Sequence, residues 1–598
     1  MLFKEICALL SSIENLTSRN EITDVLIDFY KNSKVRDAQI FSYLVVGRVA
    51  PSFVDAEFNM SEKSILKVLS EIAHTDLSEA RKGLGDIGLV AEQYVGSTDT
   101  ELDLESVYSE LWNLINTGGT GSVAEKQFLV KEIVNKMSPV EAKYFVRIIV
   151  GKLRLGVSSK TFLDVFSFLK NGDKSLRSEL DLVYGVDPDL GALTYRILKD
   201  QELSVEPTPG IPLLSRLVER VGSFEEVFER LGEKIIVQPK FDGLRCQAHK
   251  GVNYSELDKE LRIWSGNLTS KHTPGGMFET PSRGDVKLFS RNLEDLTEMF
   301  PEVVEVIESL DCESCILDGE VIGWDDEKDT FAPFQQTMTR KRKHGVGDAM
   351  KEVPVKYFTF DVMYIDGKSL ALVDTSERVQ ILKGISPDDR SVFRMAETDM
   401  ITSLEELNDM FDQSSNDGLE GLIVKKLEGG YEPGNRNYDW IKLKKSMDKK
   451  LVDTVDVVIM GYYAGSGKRS SLGMGALLGG VYNPDTNRVE SVTKIGTGIT
   501  DEQWGEINSK LAELRSEKMP SMYDVDTGLH PDAWVEPRIV CSVEADEITK
   551  SKVHKAAVSL YGDSGLALRF PRLIEFDRDK NIEDATSPSE LKRLYDIS

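Results

Sequence analysis

The stretch Val237-Gln-Pro-Lys-Phe-Asp-Gly-Leu-Arg245 decides how the rest of this chain is read. It is entered from the apolar run Ile235-Ile236-Val237, which predicts a β-strand. A lysine at that strand's end, followed by an aromatic, Asp-Gly and then arginine, suits delivery of an amine into a phosphate pocket. Lys240 is the candidate nucleophile; a plain surface turn is the alternative that this motif alone leaves open.

The 598 residues exceed what one core organises. At about 100 to 200 residues per domain the chain holds about three to five domains, and three is the working count. With 40% hydrophobic and 29% charged residues it falls among soluble globular proteins. No apolar run approaches the roughly 18 residues of a membrane span. The N-terminal MLFKEICALLSSIENL, with Glu5 beside its early cation, reads as an amphipathic helix rather than a secretory signal. Five scattered cysteines suit a reducing compartment, so a cytoplasmic location is expected. Cys312 and Cys315 form a CxxC without a second pair, which predicts two solvent-edge thiols rather than zinc. A net charge of −27 is the reverse of a nucleic-acid binder's usual footprint. Any DNA contact therefore requires basic residues segregated onto one face, and the acidic excess itself suits solubility or a salty cytoplasm.

From Met1 to about Val205 the periodicity is helical, with Val107, Leu111, Leu114 and Ile115 on one stripe. Phe162, Val165, Phe166 and Leu169 form another, after Ser158-Ser159 as caps. Lys152, Arg154 and Lys160 surround the Leu155-Gly156-Val157 turn, where cations and helix N-termini suit backbone phosphates; a solvated face is the alternative. Three prolines within Glu206-Pro-Thr-Pro-Gly-Ile-Pro212 end the helical pattern. Mixed strands and helices succeed it, and after the cationic run Lys442-Leu-Lys-Lys445 short glycine-rich β segments predict a small barrel. The expected fold class is multidomain: an all-α domain over 1–205, an α+β domain over 206–446, and a small β-barrel over 447–598. Gly465-Ser-Gly-Lys468 is not a P-loop, because Tyr462 and Arg469 stand where glycine and Ser or Thr are needed.

The lysine motif gains force from six downstream motifs in a fixed chain order: Phe289-Ser-Arg-Asn292, Leu317-Asp-Gly-Glu320, Tyr357-Phe-Thr-Phe-Asp361, Glu420-Gly-Leu-Ile-Val-Lys425, Trp440-Ile-Lys-Leu-Lys444 and Arg578-Asp-Lys580. With Leu153-Arg-Leu-Gly-Val157 and Gly565-Leu-Ala-Leu-Arg-Phe-Pro-Arg572, this set resembles the ATP-dependent DNA ligases of the covalent nucleotidyltransferase superfamily, most closely the archaeal and eukaryotic replicative type. The resemblance covers nearly the whole chain, and it implies that 1–205 is an all-α DNA-binding domain, 206–446 an α+β nucleotidyltransferase (adenylation) domain and 447–598 a β-barrel OB-fold. It implies nick sealing in replication, repair and recombination through a lysyl-AMP on Lys240 and a DNA-adenylate. It further implies ATP, with Mg²⁺ or Mn²⁺, and a single-chain clamp around nicked duplex DNA whose C-terminal domain rotates on a hinge near 445–450. A replication sliding clamp is an expected partner, although no clamp-binding box is visible.

By the same resemblance, Gln238, Arg245, Arg291, Glu320, Phe360, Lys442, Arg578 and Lys580 bind the nucleotide, with Phe360 stacked on adenine. Glu320 and Glu420 hold the metal, Lys442 and Lys444 act on the α-phosphate, and Arg578 and Lys580 orient the leaving pyrophosphate. Chemistry runs in parallel: an amine that titrates at about 10.4 must lose its proton before attacking phosphorus, and neighbouring cations favour that loss. The basic run Arg340-Lys341-Arg342-Lys343 comes after Pro333-Phe-Gln335, as in these ligases, and suits duplex phosphates. Three departures stand out. Gln238 replaces a common glutamate, Pro212-Leu-Leu-Ser215 replaces the usual opening of the adenylation domain, and 251–285 is long, reading as a surface hairpin or flap with Lys271 and Arg283 as minor DNA-contact candidates. An RNA ligase or mRNA guanylyltransferase shares the lysine motif but not the helical segment. An NAD-dependent ligase would carry a four-cysteine finger, and a nick-binding scaffold would not need the full cation set.

Overall fold

A computed structural model describes the protein at all residues except 17, 97, 99, 154, 220, 222, 270–284, 333, 341–345, 387–391, 418, 445–453, 466–472, 517, 563, 579 and 598. The chain divides into two compact units, Met1–Leu443 and Lys444–Ser598.

The first unit opens with twelve α-helices among the described residues, from Phe3–Glu14 to Leu190–Leu198. The predicted stripes are their buried faces. Val107, Leu111, Leu114 and Ile115 lie on Leu104–Asn116, which starts where Asp103 accepts from the amides of Glu105 and Ser106. Phe162, Val165 and Phe166 are buried on Ser159–Asn171, with Ser158 at its N-cap and Gly172, φ 77°, ending it in the left-handed conformation. Leu169 packs at the margin of the same core.

The proline-rich stretch is irregular, as expected, but it is zipped down rather than loose. Gly210 N donates to His249 Nδ1 (3.1 Å), Leu213 N to Gln247 Oε1 (3.1 Å) and Leu214 N to Gly185 O (2.7 Å). Among its described residues the mixed region beyond it holds two sheets. One runs in the order Leu217–Glu219, Arg436–Lys444, Gly421–Lys426, Ile235–Lys240, Asp399–Ile401; the other runs Val286–Ser290, Leu244–Lys250, Cys315–Asp325, Val355–Ile365, Lys368–Ser369. The chain passes from one sheet to the other through Phe241-Asp-Gly243. A Cβ on Gly243 would lie 2.7 Å from Val321 O and 2.8 Å from Glu320 Cγ, so only glycine fits this crossing.

Two expectations fail here. The segment after Leu244–Lys250 is not a surface flap over its described length: Arg262, Ile263 and Trp264 are buried, and Ile263 and Trp264 belong to the same hydrophobic cluster as the N-terminal helices. Gln39 Nε2 donates to the carbonyls of Glu260 and Leu261, both at 3.0 Å, and Tyr195 OH to Glu260 Oε2 at 3.0 Å. Lys271 and Arg283 lie outside the described residues. The CxxC cysteines are likewise not both at a solvent edge, because Cys315 begins a central strand and is fully buried while Cys312 is half-buried.

The second unit is a curled, OB-like sheet. Val455–Tyr463, Ala476–Asn483 and Arg488–Ile495 pair antiparallel, and Val540–Glu544 joins Val455–Tyr463 to Arg572–Arg578. The helix Asp501–Glu513 supplies Trp504, Ile507 and Leu511 to its core. Among the described residues no helix is long and apolar enough to cross a membrane.

Candidate active site

Strand pairing fixes the neighbours of Lys240. Gly421 stands opposite it in the antiparallel ladder, and Glu420 N donates to Lys240 O at 3.0 Å. That register turns the Glu420 carboxylate onto Lys240 Nζ, and the two half-buried groups form an ion pair. In the other sheet Arg245 stands opposite Glu320, whose Oε1 accepts from Gly243 N at 3.1 Å. Burial pushes the Glu320 carboxyl up to about 7, against the pull of Lys240 and Arg245. Its surroundings thus supply less positive charge than its ionised form needs.

Arg245 is held in place from below. Its Nε donates to Asp318 Oδ1 at 3.1 Å and its Nη2 pairs with Oδ2 of the same fully buried carboxylate. Tyr431 OH donates to Asp318 Oδ2 at 2.5 Å and accepts from Arg245 Nη2 at 3.1 Å. Asp318 and Tyr431 were not singled out from the sequence. Asp318 carried a readable signal, since residues two apart on a strand share a face and Glu320 is its i+2 partner.

Phe360 is half-buried, with the Arg245 guanidinium carbon 5.3 Å and Lys425 Nζ 5.2 Å from its ring centre. Gln238 is buried; its Nε2 donates to Phe360 O (3.2 Å) and Thr398 Oγ1 (2.9 Å). With those donors engaged internally, the side-chain oxygen is what Gln238 offers a ligand. Behind Phe360 lies a second group whose pairing was not read from the sequence, although Asp361 and Lys425 close two of the quoted motifs. Arg378 grips Asp361 through Nε–Oδ1 (2.7 Å) and Nη2–Oδ2 (3.1 Å), and Lys425 Nζ reaches Asp361 Oδ2 (3.4 Å) and Phe360 O (3.2 Å). Burial alone would raise the Asp361 carboxyl, but Arg378 and Lys425 hold it down to about 2. Burial pushes Lys425 down to about 8, against Asp361.

Lys442 and Lys444 are half-buried, two apart on the strand Arg436–Lys444, and Arg291 is exposed just after Val286–Ser290. In the second unit Arg578 Nη1 meets both Asp456 oxygens (2.6 and 2.9 Å), and Lys580 Nζ meets Asp456 Oδ2 (2.7 Å). Of the residues expected on duplex phosphates, Lys152 and Lys160 are exposed, while Arg154, Lys341, Arg342 and Lys343 lie outside the described residues. Arg340 does not belong with them. Its guanidinium is buried, donating to Val353 O (2.7 Å), Met299 O (3.1 Å) and Glu302 Oε1 (2.6 Å), so it staples its own domain.

Among the described residues no group of three or more His, Cys, Asp and Glu could hold a metal ion. The carboxylates of Glu420 and Glu320 both act on the Lys240 ammonium, and Glu320 is short of positive charge. Two carboxylates completed by water and substrate phosphates are a donor set that fits a hard divalent cation.

Three family models match the chain: DNA ligase N terminus over 2–167, ATP dependent DNA ligase domain over 278–444, and ATP dependent DNA ligase C terminal region over 470–580. A probable DNA ligase of Dictyoglomus turgidum is 36% identical over all of this chain and 97% of its own length. A DNA ligase of Sulfolobus acidocaldarius is 32% identical over all of the chain and 98% of its own length, and DNA ligase 1 of Methanosarcina mazei is 31% identical with both chains fully covered. Among solved structures, Pmar-Lig_PreS3 is similar in fold, with a TM-score of 0.55 at 15% identity over 96% of this chain and 99% of that one.

Proposed function

Because the chain belongs to the ATP-dependent DNA ligases, we propose that Lys240 is its nucleotidyl-accepting lysine and that the groups around it divide the work of nick sealing. The observation that carries this reading is the pairing of Glu420 with the Lys240 amine in one sheet while Glu320, standing opposite Arg245 in the other, feels the charges of both Lys240 and Arg245.

Lys240 Nζ must shed a proton before it attacks, and the Glu420 carboxylate is its hydrogen-bonded acceptor. The amine then attacks the α-phosphorus of ATP. A P–N bond forms, the bond to the β-phosphate oxygen breaks, and pyrophosphate leaves. An oxygen of the DNA 5′-phosphate next takes the adenylyl group, returning the amine. Finally the 3′-hydroxyl attacks that activated phosphate, and the phosphodiester forms as AMP departs. Such steps depend on positioning and charge neutralisation more than on acid–base machinery. Arg245, fixed by Asp318, and Arg291 serve the phosphate and sugar. Lys442 and Lys444 serve the α-phosphate, and Arg578 with Lys580 serves the pyrophosphate. Phe360 presents a face to the base, and the Gln238 side-chain oxygen accepts from adenine's amino group, which guanine lacks at that position. Glu320 and Glu420 would hold Mg²⁺ or Mn²⁺, which supplies charge neutralisation on the triphosphate.

Residues 1–205, 206–446 and 447–598 are the functional divisions, with Lys152 and Lys160 on duplex phosphates, a sliding clamp as partner and a monomer as the working form. Incubation with α-labelled ATP is expected to label the chain, GTP to leave it unlabelled, and Lys240→Ala to cut nick sealing by about 10⁴-fold or more. Labelling from GTP alone, or normal sealing by Lys240→Ala, overturns the reading.

A further inference from the structure

We propose that residues 252–268 form a strap that fastens the helical DNA-binding domain to the nucleotidyltransferase domain, and that Arg262 and Trp264 are positioning residues for the nicked duplex. The role rests on the ligase function proposed for the chain. The strap leaves one domain as a continuation of a hairpin: Val252 N donates to Asp285 O at 2.8 Å, just beyond the Lys250 and Val286 pair. It ends inside the other. Arg262 Nη1 reaches Asp187 Oδ1 (3.0 Å) and Asp189 Oδ2 (3.1 Å), its Nη2 reaches Asp187 Oδ2 (2.8 Å), and Trp264 Nε1 donates to Asp189 Oδ2 (2.8 Å).

Those aspartates are built into the helical domain. Asp189 caps the helix Leu190–Leu198 by accepting from Ala192 N (3.0 Å), and its Oδ1 also takes the Tyr43 hydroxyl (2.5 Å). Asp189, Trp264 and Arg262 are each at most 5% exposed, and Trp264 meets Phe53 edge-on with ring centres 5.8 Å apart. Buried charges that share fixed partners tolerate one relative placement, since any slide leaves a carboxylate or guanidinium unpaired. The network therefore specifies an orientation between the domains, which greasy contact alone would not do.

The consequence falls on DNA binding. Without the strap, the helical domain would keep the 199–216 connection and the apolar packing of Val186 with Met363, Tyr431 and Trp440, which fixes an orientation less tightly and leaves more to be ordered at each encounter; with it, that ordering is done in advance. Self-adenylation, which uses only the nucleotidyltransferase and C-terminal domains, is independent of the strap.

Two full-length variants test this. In one, Asn-Gly replaces 253–284, closing the hairpin where Val252 and Asp285 already face each other. In the other, Asp187→Asn, Asp189→Asn and Arg262→Gln remove the charges while keeping shape. Spin labels at Lys63→Cys and Glu298→Cys, both exposed positions, report the distance between the domains in a Cys312→Ser background. The intact strap should give one narrow distance that nicked duplex leaves unchanged. Both variants should broaden it and raise KM for nicked DNA about tenfold, with kcat at saturating DNA and lysyl-AMP formation unchanged. A shift beyond about 10 Å in the intact protein on DNA binding, a domain-scale movement, or an unchanged KM in both variants, overturns the proposal. Absence of lysyl-AMP in the intact protein would instead remove the ligase reading.

Discussion

Two clusters of charge lie on neighbouring strands of the first unit and behave in opposite ways. Around Asp361, two cations outweigh burial and the carboxyl is held down to about 2; around Glu320, burial outweighs two cations and the carboxyl is pushed up to about 7. The first cluster is internally satisfied and acts as a staple beneath Phe360. The second is left short of positive charge beside Lys240, the proposed nucleotidyl-accepting lysine. The difference is one of partners: Asp361 has two cations bonded to it, whereas burial dominates at Glu320, which the proposed function gives to a divalent cation.

The sharpest way to break this comparison is Asp361→Asn. It leaves Arg378 and Lys425 buried without their counter-charge, and a loss of about 3–5 kcal/mol in denaturant unfolding of the first unit is expected. Glu320→Gln should do the reverse. Because the Glu320 carboxyl rises from 4.5 to about 7, the folded protein holds that proton more tightly than the unfolded chain. The stabilisation it represents is complete below pH 4.5 and is lost as pH climbs through 7. The amide should therefore raise Tm by about 2 °C at pH 8 and leave it unchanged at pH 4.5, while nick sealing falls about 100-fold. An unchanged pH profile of Tm would remove the contrast. The smallest effect separates Lys160 from Arg340. Lys160→Ala should lower the slope of log affinity against log salt by about 1. Arg340→Ala should leave that slope alone and lower stability, as measured by thermal unfolding.

Much of the fold was legible because periodicity reports which face of an element is buried. The stripes of Leu104–Asn116 and Ser159–Asn171, the strand entering Lys240 and the chain order of the motifs all agree with it. What periodicity does not encode is the distant partner that lets a polar residue go inside. Arg262 looks solvated beside Asp258, Lys259 and Glu260, but its carboxylates come from residues 187 and 189. Arg340 opens a basic run and looks DNA-facing, yet Glu302 and two carbonyls take its guanidinium inward. Asp318 was passed over although it lies two residues before Glu320 on the same strand: the sequence shows that shared face, but not that the Arg245 side chain reaches diagonally across to it.

The pairing of Arg578 and Lys580 with Asp456 bears on turnover. A carboxylate on the same domain is a tethered competitor: any anion that engages these two cations must first displace it. The affinity realised is the difference between two pairings. Two full positive charges would otherwise hold a polyanion tightly, and a counterion carried on the same sheet keeps such an anion exchangeable.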